Sequence, residues 1–189
     1  MIDDAHGLGL IGDQRRGGVA AAGLGVADVP ILMVTLGKAL GCAGALVLGS
    51  HELIEGLIQF CRHWIYTTAL PPAVAAAACT AVQIARDEDH RRAQLVLLIA
   101  RFRSGAEQLG LSLLPSQTPI QPIFFGDASR AVQIAGRLEA NGFYVPAIRA
   151  PTVPAHEARL RITLTAAHQP SEVDALLDAL NDCMRAFTP

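Results

Sequence analysis

The sequence predicts an α/β chain in two parts: a strand–helix region, then from about residue 105 a smaller α+β module. Three observations predict this. Two β-rich apolar runs closed by glycine or serine occupy 29–37 and 42–50. Helical periodicities with start signals follow, up to about residue 109. Beyond that point, four short strand-like runs are interleaved with two helical patterns.

Each element has its own signal. Met1-Ile2 reads as the end of a strand that leads into polar residues. "VPILMVTLG" (29–37) is short and apolar, opened by Pro30 and closed by Gly37, and reads as a buried strand. "CAGALVLGS" (42–50) reads as a second. Leu53, Ile54, Leu57, Ile58 and Cys61 share one face of a helix predicted over 51–64, with Ser50 as its cap. A proline pair opens an alanine-rich helix over 71–86. "RDEDH" (86–90) breaks it, and a further helix runs to Leu109 with Gly110 as its stop. "LSLLP", "PIQPIFFG", "GFYVPAIR" and "RLRITLT" read as strands, and helices are predicted at 127–140 and 170–186, started by Asp127 and Ser171.

With 189 residues, 51% hydrophobic and 17% charged, the chain has a globular composition and enough length for a core. A net charge of −2 gives no electrostatic footprint for nucleic acid or a membrane surface. The most apolar run, 39–49, is too short to span a bilayer, and no basic leader is legible at the start. Cys42, Cys61, Cys79 and Cys183 match no zinc spacing and read as reduced, mostly buried thiols of a cytoplasmic protein. The histidines other than His6 show no metal-ligand spacing, so no metal is predicted. "RFR" (101–103) reads as a solvated helix face, and His63-Trp64 as packing at a dimer surface.

The stretch "DDAHGLGLIG" (3–12) spells G-x-G-x-x-G with Gly7, Gly9 and Gly12. A dinucleotide turn needs a full strand before the first glycine and a helix at the third, and neither is legible here. The glycines read instead as a loop passing close to another backbone or a ligand. Asp3 and His6 leave one strand end, and Lys38 leaves the next in "TLGKALGCAGA". Lys38 is the only lysine, against fourteen arginines. Two readings stay open from the residues alone. One is a carbonyl-reactive lysine beside an acid that could face a pyridine nitrogen. The other is a strand-end ion pair between Asp3 or Asp4 and an arginine. Arg149 likewise reads either as a carboxylate clamp or as a surface ion-pair partner, and Thr67-Thr68 could simply shape the turn before Pro71.

"DDAHGLGLIG", "VTLGKALGCAGA", "YTTALPP" and "AIRAPTVPAHEARLRITLTAAH", in this order, resemble the α-oxoamine synthases, pyridoxal 5'-phosphate enzymes of fold type I, and most of all their biotin-pathway branch. The resemblance runs along the whole chain but covers only the second half of the family's chains. It implies that residues 1–105 are the C-terminal part of the cofactor-binding large domain and 106–189 the small domain. It implies that Lys38 bonds the cofactor's aldehyde carbon, Asp3 pairs with the ring nitrogen, His6 with the ring hydroxyl, and Thr35 with the phosphate. Thr67 and Thr68 would reach the phosphate of a neighbouring subunit's site in a homodimer with shared active sites. Arg149 would hold the amino-acid carboxylate, with Thr152 beside it.

The implied reaction is a decarboxylative condensation of L-alanine with a pimeloyl thioester, on CoA or a carrier protein. The family's ring-stacking residue and glycine-rich phosphate loop lie upstream of its matching half, so the chain alone is expected to be poorly active and to expose apolar surface. The alternatives are a sister synthase, joining glycine to acetyl- or succinyl-CoA or serine to a long acyl thioester, and a non-catalytic dimerising remnant.

Overall fold

The structure, a computed structural model, describes residues 1–186. They divide into two compact units, Met1–Asp89 and His90 onward. The sequence predicts a boundary near residue 105, whereas the compact units part at Asp89/His90.

The first unit carries a three-stranded sheet in the order β1-β2-β3: β1 (Ile2–Asp3), β2 (Ile31–Thr35) and β3 (Ala45–Gly49). β1 and β2 are parallel, with Asp3 opposite Met33, while β2 and β3 are antiparallel, with Thr35 opposite Ala45. A single 3-10 turn (Asp13–Arg15) and a four-residue helix, α1 (Gly18–Ala21), lie between β1 and β2. The sequence reading placed no helix there. Helix α2 (His51–Phe60) starts where Ser50 Oγ accepts the Leu53 N–H at 3.3 Å. The predicted helix over 51–64 is broken: Cys61 leaves helical geometry (φ −75°, ψ 104°) and a short α3 (Arg62–Ile65) resumes. Helix α4 (Pro72–Asp87) has proline in its first turn, where a missing N–H costs nothing.

Few large side chains of this unit are buried: Val19, Val29, Val34, Leu36 and Leu40. Leu46, Val47 and Leu48 of β3 stay 42–46% exposed on both faces of the strand, and Phe60, Trp64, Tyr66 and Leu70 are also exposed. The expected apolar surface is present.

The second unit has a core of its own. Helix α5 (Asp89–Gln108) is followed by β4 (Ile120–Gly126), α6 (Ala128–Ala140), β5 (Ala147–Ile148), β6 (Ala158–Thr163) and α7 (Pro170–Arg185). The sheet is antiparallel, in the order β4-β6-β5. Along β6, Ala158, Leu160 and Ile162 are buried and alternate with less buried neighbours, the period-2 pattern of a strand covered on one face. Ala131, Ile134 and Leu138 of α6 and Val173, Leu177 and Leu180 of α7 complete that core at helical spacing. Asp127 caps α6 by accepting the Arg130 N–H at 2.6 Å.

Several expectations need correction here. Helix α7 is entered at Gln169, whose N–H donates to Glu172 Oε2 at 2.7 Å, so Ser171 lies inside the first turn and does not cap it. "LSLLP" contributes one isolated bridge, Leu113 to Ile123, and "GFYVPAIR" only two strand residues. "RFR" is a solvated face only at Arg101, which is exposed. Phe102 is fully buried, and Arg103 Nη1 donates to Gln121 Oε1 at 2.8 Å and to the Ser116 carbonyl at 3.3 Å. Gln121 is itself buried, so this pair keeps its amide from being stranded in the core. Of the four thiols only Cys183 is buried; Cys42 and Cys61 are half-buried and Cys79 is exposed.

Candidate active site

Because β1 and β2 run parallel, their last residues, Asp3 and Thr35, end at the same carboxyl edge of the sheet, where open α/β sheets place ligands. The ladder continues one residue further, with the Asp4 N–H donating to the Met33 carbonyl at 2.8 Å. The chain then turns back, and the N–H groups of Gly7 and Leu8 donate to the Asp4 carbonyl at 3.0 and 3.4 Å. His6 sits exposed on this turn. Asp3 Oδ1 accepts the Ala5 N–H at 2.9 Å; its second carboxyl oxygen has no partner among the described residues.

Past Thr35, β2 enters a pinched loop. Leu36 N–H donates to Gly44 O at 3.0 Å, Cys42 N–H to Leu36 O at 2.8 Å and Gly41 N–H to Lys38 O at 3.0 Å. Gly41 (φ +62°) and Gly44 (φ +105°) take up backbone that other residues adopt only with strain. Lys38 is thereby held exposed in the turn, and its amine has no hydrogen-bond or ion-pair partner among the described residues. Thr35 Oγ1 accepts the Gly37 N–H at 3.2 Å and lies 3.3 Å from the Gly44 carbonyl, to which it donates. Thr67 and Thr68 follow α3 and are exposed; Thr67 Oγ1 donates to the His63 carbonyl. The same segment reaches the lysine loop, since a Cβ on Gly44 would stand 3.2 Å from Leu70 Cδ1.

Arg149 and Thr152 belong to the second unit. Arg149 directly follows β5 with its side chain exposed and only a 3.5 Å contact from Nη1 to the Ala150 carbonyl. The Thr152 N–H donates to the Arg149 carbonyl at 3.0 Å, closing a turn through the cis Ala150–Pro151 bond.

The structure therefore brings Asp3, His6, Thr35 and Lys38 to one edge within the first unit, with Thr67 and Thr68 on a segment whose Leu70 touches the lysine loop. Neither Asp3 nor Asp4 makes an ion pair among the described residues, so the strand-end salt bridge is not what holds this edge. Sequence reasoning missed the use of Asp4. Its carboxylate is buried, and Oδ2 accepts the Gly18 N–H at 2.7 Å. A Cβ on Gly7 would stand 2.0 Å from Asp4 Oδ1, and one on Gly17 2.0 Å from Oδ2. Glycines at 7, 17 and 18 are the only trace of this in the sequence, and they do not say which of the two acids they enclose. The first glycine of the G-x-G-x-x-G spelling makes room for this carboxylate, and the second, Gly9, lies against Ala39 beside the lysine.

An aldehyde-bearing pyridine phosphate needs an amine, an acid facing the ring nitrogen, and donors for its hydroxyl and phosphate. The edge offers Lys38, the uncommitted oxygen of Asp3, His6 and Thr35, with glycines at 37 and 41 so that flat rings can approach backbone. The donor set fits. Among the described residues no cluster of three metal-ligating side chains occurs, and no helix is long and apolar enough to cross a membrane.

Comparisons with known proteins agree with this chemistry. The sequence pattern of the family described as aminotransferase class I and II matches residues 1–180. An 8-amino-7-oxononanoate synthase of Pseudomonas putida (strain GB-1) is 55% identical over 183 residues, which is 97% of this chain and 47% of that one. Its counterpart in Pseudomonas aeruginosa (strain LESB58) is 56% identical over 188 residues, again covering 47% of its own length. The chain thus spans about half the length of the curated relatives it matches. Among solved structures, 8-amino-7-oxononanoate synthase from Francisella tularensis superimposes with a TM-score of 0.86 at 30% identity, covering 97% of this chain and 54% of that one. Sphingomonas wittichii serine palmitoyltransferase gives 0.90 at 32% identity, covering 97% and 46%.

Proposed function

The chain belongs to the aminotransferase class I and II family, and on that premise we propose that it is the lysine-bearing half of a pyridoxal-phosphate-dependent acyltransferase. The proposed reaction condenses L-alanine with a pimeloyl thioester, on CoA or a carrier protein, to 8-amino-7-oxononanoate, carbon dioxide and free thiol in biotin synthesis. The observation that carries it is the uncommitted amine of Lys38, at the strand edge that also holds Asp3, His6 and Thr35. Identity of 55–56% to the Pseudomonas 8-amino-7-oxononanoate synthases supports alanine and a pimeloyl thioester; the two solved structures, at 30% for the Francisella tularensis synthase and 32% for the serine palmitoyltransferase, do not separate the pairings.

Bound at this edge, pyridoxal phosphate supplies an electron sink for a carbanion at the amino acid's α-carbon. Lys38 would hold the group through its Nζ, and the same amine would carry a proton to and from that carbon. Asp3 keeps the ring nitrogen protonated by offering its free carboxyl oxygen. His6 donates to the ring hydroxyl and helps place the acyl carbonyl, and Thr35 donates to the phosphate. Arg149 matches a carboxylate in its planar fork until that carboxylate departs, with Thr152 beside it. Thr67 and Thr68 serve the phosphate of a second subunit, which makes the active assembly a homodimer, placed in the cytoplasm. On the family's division, residues 1–105 would form the C-terminal part of the large domain and 106–189 the small one, a boundary inside α5 and distinct from the Asp89/His90 division of the compact units.

The test exploits the single lysine. After incubation with pyridoxal phosphate and borohydride reduction, peptide mass mapping should place the adduct on Lys38, and Lys38→Arg should abolish it. An adduct confined to the α-amino group would sink the reading. Enzymatic assay of the chain supplemented with the remaining half of the Pseudomonas putida relative should favour alanine over glycine and serine.

A further inference from the structure

We propose, building on the reading above, that Asp4 is a positioning residue for this edge: its buried carboxylate straps residues 13–18 across the turn that carries His6. The backbone of Asp4 is fixed to β2 through Met33, and its side chain to the far side of the loop through Gly18, fourteen residues on. The same carboxylate is walled by Gly7 and Gly17, where side chains would overlap its oxygens, and Gly18 leaves a further 3.2 Å approach to Oδ1. Two backbone bonds complete the strap: Gly9 N–H to Arg15 O at 2.8 Å and Gly17 N–H to Ile11 O at 2.9 Å. Between these fixed points lie His6, and Gly9 against Ala39, the neighbour of Lys38. One buried group therefore sets where the imidazole stands and how the first motif rests on the lysine turn. Its neighbour Asp3 is exposed and offers an oxygen to the edge; Asp4 is buried, with Oδ2 committed to Gly18 and Oδ1 enclosed by Gly7.

The experiment compares wild type with Asp4→Ala, Asp4→Asn and Gly18→Pro. The last removes the N–H that Asp4 receives and sets a ring carbon where the 2.7 Å contact to Oδ2 stood, so it displaces the carboxylate from its place. Two properties are read at a temperature where circular dichroism is native: the rate of trypsin cleavage after Arg15 and Arg16, and the NMR position of the His6 imidazole, assigned with His6→Gln. Loss of the tether should speed cleavage about tenfold in Asp4→Ala and shift the His6 resonance. Asp4→Asn keeps an acceptor for Gly18 and should recover most of both. Gly18→Pro should reproduce the His6 shift by forcing the Asp4 carboxylate out of its place, with the acid itself retained. Asp28→Ala, which deletes an exposed carboxylate bonded to Gly25 N–H, should change neither.

Unchanged cleavage in Asp4→Ala, an unmoved His6 in Gly18→Pro, or no rescue by Asp4→Asn would each overturn the assignment. If Asp4→Ala does not fold, the Asn and Pro variants decide it. Trapping of pyridoxal phosphate on Lys38 is scored separately. Its failure in wild type would remove the cofactor reading and leave the strap to stand or fall on trypsin and NMR.

Discussion

Gly9 rests against Ala39, and a Cβ added to Gly9 would stand 3.0 Å from the Ala39 methyl. This contact joins the turn bearing His6 to the turn bearing Lys38, two segments thirty residues apart in sequence. Gly9→Ala adds a tight contact to a left-handed backbone (φ +81°). It should destabilise the first unit by about 1–3 kcal/mol, read in urea from the fluorescence of the sole tryptophan, Trp64, and it should slow borohydride trapping on Lys38. Gly23→Ala is the control, left-handed as well (φ +69°) but with open space around it. It should lose stability without slowing the trapping.

Arg101 grips Asp174 with two hydrogen bonds of 2.6 Å, from Nε and Nη2, linking α5 to α7. The guanidinium holds the Asp174 carboxyl below its ordinary range. A carboxyl lowered in the folded state contributes stability above its unfolded pKa and loses it as pH falls through the folded value. Thermal unfolding followed from pH 6 down to pH 2 should show wild type losing its advantage over Asp174→Asn below about pH 4, and the gap should narrow in high salt because both groups are exposed.

Burial pushes the Cys183 thiol up, with Arg137 opposing the shift only in part. Cys79 is exposed on α4. Because the thiolate is the reactive form, iodoacetamide at neutral pH should label Cys79 first and Cys183 last, as read by peptide mass mapping. Early labelling of Cys183 would mean that the second unit opens readily.

Phe102 is fully buried among the apolar side chains of the second unit. Phe102→Ala removes its contacts and leaves a cavity, at a cost of about 3–5 kcal/mol. The loss should appear in denaturant melts as an earlier transition of the second unit, while the fluorescence of Trp64 reports the first unit separately.

What was legible followed from local signals. Ser50 and Asp127 are caps because their short side chains reach back to N–H groups of the next turn, and that grammar is written in sequence. The break at Cys61 was not, because nothing in "QFCRHW" forbids a helix; the apolar face runs through it unbroken. "GFYVPAIR" yields only Ala147–Ile148, since Pro146 has no N–H to donate and the chain turns at Arg149. At the site, Asp3, His6 and Lys38 read as strand-end chemistry from the residues themselves, and Thr35 only through the family resemblance. Asp4 was not legible, since an acid next to an acid gives no hint of which one turns inward. Only the glycines around it, two of them thirteen and fourteen residues on in sequence, record that choice.

The exposed run Leu46-Val47-Leu48 has a consequence outside catalysis. β3 is the outer strand of its sheet, preceded by Gly44 and ending on Gly49, with no lysine, proline or charge within it to discourage a stranger. Concentrated or warmed solutions of this chain should therefore gel or form thioflavin-positive fibrils by stacking such ribbons, and a single Val47→Lys gatekeeper should delay their onset.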